Sequence, residues 1–193
     1  MVDYFLENGH PYLKKLKEYA ASRGIALIPD PYGYSFVSPH GVQIVWFTRE
    51  RPNELPDILV PIEVIAYIIS RASGPEEIHA FLENQIVALG HELGHARRFM
   101  EEPGTQRVPC SALDSKTTRH HCWVEELWAY IFSKEIFKGI MPPDEYRKFC
   151  GLVEQDVAIY SEHEIFLPCK NAFLAGTCNM EEMARAKRLL FTE

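Results

Sequence analysis

The sequence predicts an α+β fold in one domain, and three observations predict it. Short β-branched runs separated by turn residues occupy positions 25–47. Strongly patterned amphipathic stretches fill most of the chain from Pro75 onward. The 193 residues suffice for one sizeable core and are short for two. Residues 1–193 therefore read as a single domain in which a small antiparallel sheet accompanies a helical half that carries the motifs.

Taken in order, Tyr12, Leu13, Leu16, Tyr19 and Ala20 recur at helical spacing with lysines between them, and Gly24 follows as a stop. Ile25 to Ile28, Tyr34 to Val37 and Val42 to Phe47 read as short antiparallel strands, separated by the turn compositions Pro-Asp-Pro-Tyr-Gly and Ser-Pro-His-Gly. The stretch from Ile58 to Ile69 fits both periods. Its β-branched residues favour a strand, with Pro61 at an edge position. From Pro75 a helix is expected, with Ile78, Phe81, Leu82, Ile86, Ala88, Leu89 and Leu93 as its apolar stripe, ending near Pro103-Gly104. A polar segment follows, Gly104 to Thr118. Further helices are expected over about 120–138, 143–162 and 180–191, the last opened by Asn179 with Glu182 as capping-box partner.

The composition is that of an ordinary globular protein, 47% apolar and 24% charged. A net charge of −7 argues against a nucleic-acid partner, because phosphate neutralisation needs a surplus of Lys and Arg. The first ten residues lack a basic region followed by an apolar one, and Pro61 and Glu63 interrupt the most apolar stretch. Neither a secretory signal nor a membrane span is expected. Five cysteines, Cys110, Cys122, Cys150, Cys169 and Cys178, form no CxxC pair and cannot all pair within one chain. Reduced thiols and a cytoplasmic location are the plain expectation. If one disulfide forms, Cys169 and Cys178 are the natural partners, since they flank one short segment.

The chemistry concentrates in His91-Glu92-Leu93-Gly94-His95. Two histidines four residues apart lie on one helical face, so both rings can reach one ion at about 2.0–2.1 Å. Glu92 sits about 100° around the helix, beside such an ion. There it can take the proton of a water whose pKa zinc lowers to roughly 7. Chance could set two His and a Glu at this spacing on a solvated face. The context argues otherwise, because apolar residues precede the motif, and Gly90 and Gly94 accompany it although each costs about 1 kcal/mol in a helix interior. Small residues let a second element come close.

A catalytic zinc site needs a third protein ligand and leaves its fourth position to water. The candidates downstream are His120, His121, Cys122, Glu125 and Glu126. At about 100° per residue, Glu126 shares its face with Ala129, Tyr130 and Ser133, whereas Glu125 shares its face with Trp128, Ala129, Phe132 and Ile136. The smaller face permits closer approach, which favours Glu126.

The segment 84–137 resembles the gluzincin metallopeptidases, in which HExxH is followed on a second helix by Glu-x-x-[small], here Glu126-Leu127-Trp128-Ala129. Within that group it looks closest to the minimal ImmA/IrrE-like cytoplasmic enzymes. The resemblance implies a zincin-like fold, His91, His95 and Glu126 as ligands, Glu92 as general base, and hydrolysis of a peptide or protein substrate. Many gluzincins carry Asp or Asn directly after the small residue to orient a ligand histidine, whereas this chain has Tyr130. Peptide deformylase is disfavoured, since its Cys ligand precedes HExxH and no cysteine precedes Cys110 here.

Hydrolysis also calls for a donor at the developing oxyanion. Tyr130 and His121 are the leading candidates among His120, His121, Tyr130, Tyr160 and His163, each of which also has an ordinary structural explanation. Cys110 lies between the two ligand helices and could block the zinc if it reached that far. The competing functional class is a metal-stabilised regulatory or interaction domain that does little chemistry. Glu92 speaks against it, because a structural zinc site has no use for a base.

Overall fold

The computed structural model describes residues 1–30, 34–38, 41–49, 54–101 and 116–162, with the side chains of 34–45, 116–125 and 158–162 outside that description. The α+β class holds. Contacts divide the chain into two compact units, Met1–Ala96 and Arg97–Glu193.

The first unit opens with two helices, α1 (Val2–Asn8) and α2 (Pro11–Ser22). Residues 11–23 were expected to be helical, and α2 starts with Pro11 at a position whose N–H is dispensable and with His10 as N-cap. Leu13, Leu16 and Ala20 face inward as one stripe. Sequence reading missed α1, although Val2, Phe5 and Leu6 recur at helical spacing and are all buried. Lys17 of α2 reaches back to Asp3 at 2.8 Å and Glu7 at 2.7 Å. Gly24 then turns the chain at φ +71°, a backbone region that suits glycine.

The strands are β1 (Ala26–Pro29), β2 (Tyr34–Ser38), β3 (Gly41–Val45), β4 (Phe47–Arg49) and β5 (Asp57–Val60). Three differences from the sequence reading have physical reasons. First, β1 does not pair with β2. It lies parallel to β5, Ala26 opposite Asp57, while β4 pairs antiparallel with β5, so the sheet runs β1-β5-β4. Short strands joined by turns suggest sequential antiparallel pairing, but β2 and β3 form their own antiparallel hairpin and release β1 to a later partner. Second, the run from Val42 to Phe47 breaks at Trp46, which is buried and donates its indole N–H to Gln85 at 3.0 Å. One strand thereby becomes two, in two different sheets.

Third, the stretch from Ile58 to Ile69 is a strand only as far as Val60, and α3 (Ile62–Arg71) follows. Pro61 ends the ladder because it has no N–H, and it precedes the first helical turn, where none is needed. It does not mark an edge strand, since β5 is the central strand of its sheet. Only Ile62 and Ile65 of α3 are buried while Glu63 and Tyr67 face solvent, so a single stripe at helical spacing suffices.

Helix α4 spans Pro75–Glu101. In the second unit, its last turn meets α5 (Lys116–Ile140), with Arg98 over the Trp128 ring at 4.8 Å and Arg97 over Phe132 at 4.6 Å. Arg97 also pairs with Glu135 at 2.8 Å. Helix α6 (Pro143–Glu162) packs on α5 through Phe149, Val153 and Val157, with the Phe137 and Phe149 rings 5.7 Å apart. Cys150 is a free, buried thiol whose pKa burial pushes up. Among the described residues no helix is long and apolar enough to cross a membrane. The expected helix over 180–191, Cys110, Cys169, Cys178 and His163 lie outside the described residues.

Candidate metal centre

Helix α4 extends about 40 Å at 1.5 Å per residue. Between Gln85 and Arg98 it is buried on almost every side, which marks a helix enclosed by its protein rather than lying on its surface. Gly90 and Gly94 are both buried there. The helix places the two histidines as the spacing requires. Their Nε2 atoms stand 3.1 Å apart and the rings meet edge to face at 4.6 Å. Two ligands bound tetrahedrally at 2.0–2.1 Å would be about 3.3 Å apart. His91 is buried, and its Nδ1 is shut off from solvent, so Nε2 is the nitrogen turned toward its neighbour.

Glu126 of α5 completes the group. One ligand atom from each of His91, His95 and Glu126 lies within 4.8 Å of the other two. The three side chains resemble an HExxH-plus-Glu zinc site and could hold a metal ion, presenting two imidazole nitrogens and one carboxylate oxygen. Such a donor set suits a divalent transition metal. His120, His121, Cys122 and Glu125 also lie on α5, but their side chains fall outside the described residues.

Glu92 has a partner that sequence reading missed. Thr48 of β4 brings its hydroxyl to 2.5 Å from Glu92 Oε2 and 3.0 Å from the backbone carbonyl of the same residue. No sequence signal marks one threonine in a three-residue strand, so only the fold reveals it.

Tyr130 is buried on α5 and donates its hydroxyl proton to Asp156 of α6 at 2.6 Å. A phenol has one proton to give, so in this arrangement Tyr130 links two helices. Tyr130→Phe is expected to lower stability by about 1–2 kcal/mol, measured by urea unfolding, because a carboxylate loses a donor. Comparison with protein-family models, curated proteins and solved structures gave no match.

Proposed function

We propose that the chain is a zinc-dependent peptidase, with His91, His95 and Glu126 holding the ion and Glu92 serving as general base. The observation that carries this reading is the convergence of those three ligand atoms with a carboxylate in the adjacent position of the same helix. A structural zinc site closes with four protein ligands, whereas two histidines and one glutamate form a known catalytic set that leaves one position for water. The reading takes residues 1–193 as one metallopeptidase-like domain.

When bound, zinc polarises the substrate carbonyl and lowers the pKa of a water molecule to about 7. With His91, His95 and Glu126 holding the ion, Glu92 would act as the base that accepts a proton from water and returns it to the leaving amine. His121 and Tyr130 are the two candidate oxyanion donors, and Tyr130 can serve only by releasing Asp156. If His121 has this role, His121→Ala loses turnover while Tyr130→Phe keeps kcat within a few-fold.

The test is digestion of a peptide library by metal-loaded protein, with and without chelator. Cleavage that chelator abolishes and added zinc restores is expected. A protein that binds one zinc and cleaves nothing would instead be a metal-stabilised interaction domain.

A further inference from the structure

We propose that Thr48 is a positioning residue that holds the Glu92 carboxylate at the metal centre, an inference that rests on the reading of Glu92 as the general base. A glutamate has three rotatable side-chain bonds, and a base must present its oxygen in one place. Thr48 supplies the constraint from outside the helix. Its hydroxyl lies between Oε2 and the main-chain carbonyl of Glu92, at 2.5 and 3.0 Å. The single hydroxyl hydrogen can be given to only one of them, and the carboxylate oxygen is the nearer acceptor.

The threonine is itself well held. Its branched Cβ restricts χ1, and Thr48 stands opposite Ile58 in the β4–β5 ladder. Two residues earlier, Trp46 donates to Gln85 at 3.0 Å, with both side chains buried. Gln85 precedes Glu92 by two helical turns, so the two share a face of α4. The segment is thus fastened to the helix at two points, and the second of them is the base.

The role separates from mere packing by the choice of variants. Thr48→Val keeps the shape and removes the hydroxyl, whereas Thr48→Ser keeps the hydroxyl. With zinc bound, Thr48→Val is expected to lower kcat by about 10- to 100-fold, since misplacing a catalytic group by about 1 Å costs on the order of 10²-fold. KM should stay within about twofold and zinc stoichiometry should not change, and Thr48→Ser should restore kcat to within about threefold.

A second readout needs neither metal nor substrate. In chelator, urea unfolding of Thr48→Val, Glu92→Ala and the double variant is expected to show a coupling of at least about fivefold in the unfolding constant. Absence of coupling, or a Thr48→Val enzyme with unchanged kcat, overturns the assignment of Thr48. A coupled pair in a protein that binds zinc but turns over no peptide would sink the peptidase reading and leave the contact standing.

Discussion

Glu92→Gln is expected to reduce turnover by about 10²–10⁴-fold while the protein keeps one zinc per chain, the range that a positioned acid–base group contributes. The amide preserves the size of the side chain, and its oxygen can still accept the Thr48 hydroxyl that lies 2.5 Å from Oε2 in the native protein. It cannot take a proton from water near neutral pH. Ligand geometry and packing therefore survive and only the base is lost. KM should change little, because the missing interaction belongs to the transition state. Activity within a few-fold of wild type on the best peptide would remove Glu92 from the role of base.

Loss of a ligand should have the other large effect. His91→Ala and His95→Ala are expected to lose stoichiometric zinc, since each deletes one of two nitrogens that meet at 3.1 Å. Glu126→Ala should weaken zinc affinity by more than about 100-fold, because even groups that merely orient ligands are worth about 10- to 100-fold. Glu125→Ala should change it little. Glu126 lies with the histidines, and the neighbouring positions Trp128 and Phe132 are covered by Arg98 and Arg97. Chelator-competition titration separates the two glutamates, and a larger loss for Glu125→Ala would overturn the assignment.

The helices were legible wherever an apolar stripe persisted over several turns, as in α2, α4, α5 and α6. Helix α1 carries its stripe in only seven residues, too short a run for periodicity to stand out. From Ile58 to Ile69 the local pattern misled, because isoleucine and valine at almost every second position suit a strand. Pro61 settles the matter by ending β5 and preceding α3. Parallel pairing of β1 with β5 was beyond local reading, since it depends on which segments meet after the intervening hairpin has formed.

The centre was legible for a different reason. His91, Glu92 and His95 sit on one helix, whose pitch fixes their geometry once the helix is granted. Glu126 needed a second helix, and the residues around it supplied the argument, with small Ala129 and Ser133 on its face, both fully buried in the structure. Thr48 belongs to a strand far away in sequence and carried no signal. Its position follows from the β4–β5 ladder and the Trp46–Gln85 bond.

The most direct measurement is zinc-edge anomalous diffraction from crystals of the metal-loaded protein. One anomalous peak per chain is expected, bound at about 2.0–2.2 Å by His91 Nε2, His95 Nε2 and a carboxylate oxygen of Glu126. Zinc held by other side chains, or none at the two histidines when the metal is supplied in stoichiometric amount, would contradict the assignment of the centre.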